Sequence, residues 1–340
     1  MPITEKPENK TASPLRIAIT GATGFIGSNL VRYLGQRGYI VMALVRSERQ
    51  KQCLQTGSSD IRVADVTDRA SLRSAFKDVD AVVHLAALFT NPEASRREYY
   101  RVNVEGTKNV LEVAREQGVR RVVHCSTVGV ACGHGNPPYS EQTPYSPPAD
   151  DKYETTKCEA ERLALEFHKT TKLPIVVIRP AQVYGPGDVR KAKFYRMVKK
   201  GIIVEPGRTM KHLVYVDDLC RAMELAIAGE DAVGQVFIIA EEKPIALNDL
   251  VGIVASELGV PEPKIRLPAM PITWLCSITE AVCGLLRVKP PLYRRSMDFF
   301  TRSVYFDVSK AERELGFHAG TDVKTGVAKT AAWYKQQGLL

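Results

Sequence analysis

No apolar run in this sequence is long enough to cross a membrane, and no repeat or low-complexity segment interrupts it. The most apolar stretch, 267–286, contains Glu280 and several small polar residues, so it is too broken for a span. The seven cysteines, at 53, 125, 132, 158, 220, 276 and 283, are odd in number and include no Cys-x-x-Cys pair. That excludes a disulfide scaffold, leaves no metal-ligand set, and indicates free thiols in a reducing, cytoplasmic compartment. The start, 1–13, has no apolar core and reads as a disordered tail, neither signal peptide nor anchor. Acid is in deficit: 47 Lys and Arg against 38 Asp and Glu leave a net charge of +9. The basic residues are dispersed, with small clusters at 191–200 and 287–302, and no nucleic-acid motif accompanies them, so nucleic acid is not expected as a partner.

What is present is organised around residues 16–27. A β-branched run, Arg16 to Thr20, meets Gly21, Gly24 and Gly27, and then Phe25, Ile26, Leu30, Val31 and Leu34 recur at helical steps. Strand, glycine turn and helix in that order make a pyrophosphate site, because the helix N-terminus offers free N–H groups and a positive dipole end. Gly21 permits the turn, Gly24 the approach of the ligand, and Gly27 the packing of helix on strand.

Strand and helix patterns alternate from there. Strands are expected at 39–45, 61–63, 81–85, 122–126 and 175–178, and helices near 25–37, 69–76, 95–117 and 151–170. This alternation predicts an α/β fold, a doubly wound parallel sheet with helices on both faces. Where the second strand ends, an acid would read the adenosine ribose of NAD. Arg46 stands there, with Arg49 behind it and Glu48 the one nearby acid. Cations suit a 2′-phosphate, so NADP is favoured and NAD is the alternative. Asp65-Val66 follows the third strand, where a carboxylate can accept from an adenine amino group. Leu85-Ala86-Ala87 after the fourth lets a cofactor lie against the sheet end, and His84 reads as a packed core histidine.

Cys125-Ser126-Thr127 ends the fifth strand, and Tyr153 and Lys157 lie four apart on the next helix, so both project from one face. A neighbouring ammonium favours the phenolate of a tyrosine, and such a pair can exchange a proton with an alcohol or ketone. A hydroxyl from Ser126 or Thr127 would orient the substrate oxygen.

Together these pieces resemble the extended short-chain dehydrogenase/reductase superfamily, of the NAD-dependent epimerase/dehydratase type. The matching segments are 20–27 with Thr23, Asp65, 85–87, 103–107, Tyr153 with Lys157, 179–188 and 212–218. The resemblance implies a Rossmann domain over 14–180, with 212–228 returning to it, and a smaller, mostly helical substrate lobe over 181–340. It implies Tyr153 as general acid/base, Lys157 on the nicotinamide ribose, and Thr127 as the catalytic hydroxyl with Ser126 adjacent. Asn103 would have a structural or relay role, and Pro180 to Val183 would line the nicotinamide side. A homodimer is also implied.

Lys211 occupies the place where the nucleotide-sugar branch carries a diphosphate-clamping arginine. A point charge replaces a bidentate fork. In 267–286, Trp274, Leu275, Ile278, Val282, Leu285 and Leu286 share one helical stripe, read either as an apolar substrate lid or as a packed helix. Basic residues at 287, 289, 294 and 295 follow, compatible with peripheral membrane contact through 267–302. The arrangement looks most like the 3-beta-hydroxysteroid dehydrogenase and sterol-dehydrogenase-like branch. Hydride transfer to or from a secondary alcohol or ketone of a sterol, steroid or long-chain lipid is the leading expectation. A nucleotide-sugar epimerase or dehydratase with retained NAD is the alternative, and a non-catalytic dinucleotide sensor the second.

Overall fold

The computed structural model describes residues 14–340 except 53, 55–59, 90, 92, 133, 134, 206 and 287–296. The expected tail at 1–13 and the basic positions 287, 289, 294 and 295 therefore lie outside the described residues.

Seven strands form one parallel sheet: β1 (Arg16–Thr20), β2 (Ile40–Val45), β3 (Asp60–Val63), β4 (Ala81–His84), β5 (Arg121–Cys125), β6 (Ile175–Pro180) and β7 (Val236–Ile239). Their spatial order is β7-β6-β5-β4-β1-β2-β3. Strands such as Val-Val-His-Cys in β5 are apolar at nearly every position because both faces are covered. The helices that follow are α1 (Phe25–Gln36), α2 (Arg69–Ala75), α3 (Gly106–Glu116), α4 (Lys152–Thr171), α5 (Ala192–Lys199), α6 (Val216–Ala228), α7 (Leu247–Leu258), α8 (Ala269–Leu286) and α9 (Val323–Gln336), with shorter turns between. Leu30 and Leu34 of α1 and Leu219 and Met223 of α6 share one core with Ile17, Ile19 and Val41. Leu72 of α2, Leu111 of α3 and Ala164 of α4 share the other with Ala18, Met42 and Val82. The strand order reverses between β1 and β4, which opens a crevice at their carboxyl ends. The doubly wound Rossmann sheet is thus as expected.

Two features depart from the sequence-based picture. The expected helix at 95–117 runs without a break from Arg96 to Glu116, but it widens into a π-helical turn at Arg101–Glu105 before α3. The widened turn carries Asn103, which is buried. The strand β7 had not been anticipated, yet it pairs with β6 along its whole length.

A smaller lobe is built around Tyr195, Ile203, Leu247, Val254 and Tyr334, from α5, α7, α9 and the strand pair Ile202–Val204 with Ile265–Leu267. The chain does not pass once from sheet to lobe. After α7 and α8, residues Phe306, Ala311, Leu315 and Phe317 return to the sheet core beside α6 and β7. On α8, Cys276 is buried and Ala269 and Ile272 pack onto the lobe. Met270 (73 %), Trp274 (70 %), Leu275, Ile278 and Val282 face solvent. The expected stripe exists, but the packed-helix reading of it fails, because its turns are held from the opposite edge. The side chains of Leu285 and Leu286 lie outside the described residues. Among the described residues, no helix is long and apolar enough to cross a membrane.

Candidate active site

The glycine turn sits at the crevice. Gly21 has φ +72°, and a Cβ there would stand 2.8 Å from the Ala86 nitrogen. A Cβ on Gly27 would stand 2.2 Å from the Gly21 carbonyl oxygen, so the first turn of α1 rests directly on the strand end. The Gly24 N–H donates to Gly21 O (3.0 Å), and Gly24 begins α1 with no side chain capping it. Thr23 and Gly24 are exposed at the rim, whereas Phe25 and Ile26 are half-buried. An uncapped helix start above a cradle that any side chain would fill fits a dinucleotide pyrophosphate.

The adenosine end is framed by β2 and β3. Arg46 is exposed, its N–H donating to Gln50 Oε1 (2.9 Å), while Glu48 is paired with Lys51 (3.0 Å). Asp65 accepts at Oδ1 from the Thr67 N–H and hydroxyl (both 2.8 Å), and the Val66 carbonyl accepts from Asn109 (2.9 Å).

Leu85, Ala86 and Ala87 run across the glycine turn and are tied to it. The Ala86 N–H donates to Thr20 Oγ1 (3.2 Å), and Thr107 Oγ1 donates to Asn103 O (2.6 Å). Thr107 must then accept from His84 Nε2 (3.0 Å), and His84 Nδ1 must accept from Thr20 (2.8 Å). His84 is a neutral bridge from β1 to α3; burial, then Lys157, lowers its pKa to about 3. Asn103 accepts from the Leu88 N–H (2.7 Å) and donates to Leu88 O (3.1 Å) and Thr156 Oγ1 (3.0 Å). One side chain thereby clamps the loop at Leu88 to α4.

Asp151 caps α4, accepting from the Tyr153 and Glu154 N–H groups (2.8 and 2.9 Å). The Tyr153 ring meets Phe89 edge-on at 4.6 Å, and the Arg190 guanidinium lies over the same Phe89 ring at 4.6 Å. Burial, then Glu154 and Cys125, hold the phenol well above its ordinary pKa, with Arg190 opposing. Lys157 is buried and donates to the Cys125 carbonyl (2.5 Å); burial lowers its pKa. The two strand-end hydroxyls part company. Ser126 is buried and donates to Glu161 Oε2 (2.5 Å), while Oε1 of the same carboxylate accepts from Tyr145 and Arg179, so the structure takes Ser126 out of the reacting group. Thr127 is half-buried and accepts from the Gly129 N–H (3.1 Å), and the Glu154 carboxyl lies over Gly129, where burial raises its pKa to about 7. Sequence reasoning missed Glu154, Phe89 and Arg190. Glu154 adjoins Tyr153 in the chain, but nothing in the sequence places its carboxyl over Gly129.

The model of the NAD dependent epimerase/dehydratase family matches residues 17–240. The chain belongs to this family. Its members include the extended short-chain dehydrogenases/reductases, so the resemblance read from the motifs holds and the protein is an enzyme of that type. Among curated proteins it is 28% identical to 3beta-hydroxysteroid-dehydrogenase/decarboxylase isoform 1 of Arabidopsis thaliana, over 92% of this chain and 78% of that one. It is also 28% identical to sterol demethylase protein B of Methylococcus capsulatus, over 95% and 99%. A solved structure of MoeE5 in complex with UDP-glucose and NAD superposes with a TM-score of 0.74 at 28% identity, covering 95% of this chain and 99% of that one.

Of the remaining expected residues of this epimerase/dehydratase-family site, Pro180 ends β6, and Val183 and Lys211 lie in short strands beyond it. The strand Gln182–Tyr184 continues from β6 and pairs with Leu213–Tyr215, and the Val183 carbonyl accepts from Lys191. Lys211 is buried; its ammonium donates to Arg302 O (2.6 Å) and Asp298 O (3.4 Å) over the Phe299 ring. Burial lowers its pKa to about 8. Arg302 in turn donates to the Cys132 carbonyl, tying this segment to the turn beyond Thr127.

Proposed function

We propose that this enzyme moves a hydride between NADP and a secondary alcohol or ketone in an apolar molecule, a sterol, steroid or long-chain lipid. When bound, the nicotinamide supplies or accepts the hydride. The glycine cradle and the start of α1 hold the pyrophosphate, and Asn103 keeps the loop at 85–88 against the cofactor. Tyr153 exchanges a proton with the substrate oxygen, and Thr127 orients that oxygen. A phenol held protonated by burial is ready to give its proton to a carbonyl, so the arrangement favours reduction. In the oxidative direction the cations of Lys157 and Arg190 must draw the phenol toward ionisation. The exposed Arg46, with Glu48 occupied by Lys51, supports NADP.

Lys211 carries the choice of substrate class. Its ammonium is committed to two backbone carbonyls and is not extended toward a diphosphate. The sterol-named relatives point the same way. The apolar face of α8, followed in the sequence by the basic residues Arg287, Lys289, Arg294 and Arg295, suits an anionic membrane surface from which such a substrate is drawn. The same reading includes a homodimer. The second reading, a nucleotide-sugar epimerase with retained NAD, draws on the likeness to MoeE5 with its UDP-glucose.

A screen of sterol, acyl and sugar-nucleotide substrates, following nicotinamide absorbance with NADP and NAD, separates the two. Turnover of an apolar secondary alcohol or ketone with exchangeable cofactor is expected. Turnover confined to sugar nucleotides, with NAD retained through purification, overturns the proposal.

A further inference from the structure

Phe89 is 47 % exposed, although its ring lies against that of Tyr153. Its backbone is fixed. Asn103 holds Leu88 through both its N–H and its carbonyl, and the Phe89 carbonyl accepts from the Tyr99 hydroxyl (2.9 Å). The ring is held as well. The Arg190 guanidinium stands 4.6 Å from the Phe89 centroid, a distance at which a cation is drawn to the ring face. Arg190 is no loose surface arginine. Its N–H and its Nε both donate to Oδ1 of the buried Asp188 (3.1 Å each), and the Asp188 carbonyl accepts from Tyr334 of α9 (2.6 Å). The contact therefore joins the loop after β4, on the sheet side, to the loop before α5, on the lobe side. An aromatic ring held still and left half uncovered beside a reacting hydroxyl suits an apolar ligand.

We propose that Phe89 is the surface on which the apolar body of the substrate lies while its oxygen meets Tyr153, and that Arg190 holds Phe89 in place for it. Phe89 is then a specificity-determining residue, and Arg190 a positioning residue acting through it. Both assignments rest on the hydride-transfer reading of the site. The substrate class narrows accordingly. A ketone or secondary alcohol on a fused ring system has further apolar surface to lay on Phe89, and a single ring has less. The Asp188 carboxylate, 3.1 Å from Arg190, offsets the arginine charge, so the pair offers an anionic substrate group little attraction.

The test follows reduction of cyclohexanone, decalone and progesterone, ketones of increasing fused-ring size, by the full-length enzyme with NADPH. In Phe89→Ala, kcat/KM for progesterone relative to cyclohexanone should fall about fivefold, mainly through KM, as expected when roughly half a phenylalanine's contact is lost. Arg190→Met should lower the same ratio about threefold. In the double variant the Arg190 change should add nothing, because a ring that is gone cannot be held. Any effect of the Arg190 cation on Tyr153 itself is common to all three ketones and cancels in the ratio. A ratio unchanged in Phe89→Ala overturns the proposal and leaves the hydride-transfer reading standing. An Arg190→Met effect that persists in full in the double variant overturns the positioning role of Arg190. A second arm needs no turnover: equilibrium dialysis of tritiated progesterone against the NADP-loaded protein, where Phe89→Ala should weaken binding about fivefold. Weakened binding in the variant, with no ketone reduced by wild type, overturns the hydride-transfer reading and not the Phe89 contact. Equal binding by both proteins overturns the contact, and a wild type that neither binds nor reduces any of the three overturns both.

Discussion

Tyr153→Phe removes only the ionisable hydroxyl and keeps the ring that meets Phe89 edge-on. Turnover should drop by at least ~100-fold with cofactor affinity preserved, since acid/base catalysis contributes at least that much. Near-normal kcat would sink the assignment. Arg46→Asp should shift preference from NADPH toward NADH, because a carboxylate there accepts from a ribose hydroxyl and repels a 2′-phosphate. Titration of both cofactors into both proteins checks it, and unchanged ratios would refute the ribose-end reading. At this scale the sequence placed Gly21, Gly27, Asn103, Tyr153 and Lys157 in one crevice, because each is fixed by a strand end or a helix face. It left Ser126 and Thr127 unresolved. Successive side chains of an extended chain point to opposite sides, so one hydroxyl goes down to Glu161 and the other up to the site. Deciding which needs the partner helix.

The helix α4, which carries Tyr153 and Lys157, is fixed to β5 and β6 by a buried cluster. Glu161 and Arg179, 0 and 2 % exposed at their side chains, pair at 2.6 Å, and Ser126 and Tyr145 donate to the same carboxylate. Every carboxylate oxygen is engaged, which is the condition under which a buried pair is tolerated. Arg179→Met strands the Glu161 charge, and urea unfolding should register a loss of about 3–5 kcal/mol. Adding Glu161→Leu should restore part of it. A loss below ~1 kcal/mol in the single variant would mean that water enters the cluster. The elements legible in the sequence were those with both faces covered, whose apolar runs announce a parallel strand. The widened turn at Arg101–Glu105 was not legible, since its apolar spacing differs little from that of a continuous helix.

For the molecule as a whole, the informative surface is α8. Trp274 and Leu275 are exposed, so Trp274→Ala with Leu275→Ser should barely change the melting temperature, surface substitutions being worth roughly ±0.5 kcal/mol. Sedimentation with phosphatidylserine vesicles should weaken in the variant, and phosphatidylcholine vesicles should bind neither protein well. A melting temperature several degrees lower would show that these rings are packed after all. The lobe division was only partly legible, because the return of 304–317 to the sheet joins residues distant in the chain.

That return has a practical consequence for dissecting the gene. A fragment ending at residue 180 keeps the glycine turn, Tyr153 and Lys157, yet lacks α6, β7 and the Phe306–Phe317 cover. It would present Leu30, Leu34 and Ile178 to water and a bare edge at β6. Such a fragment should precipitate when expressed alone and dissolve when its complement, 181–340, is co-expressed. Calorimetry of the intact chain should accordingly record one cooperative endotherm, the sheet and the lobe being two regions of a single melting unit.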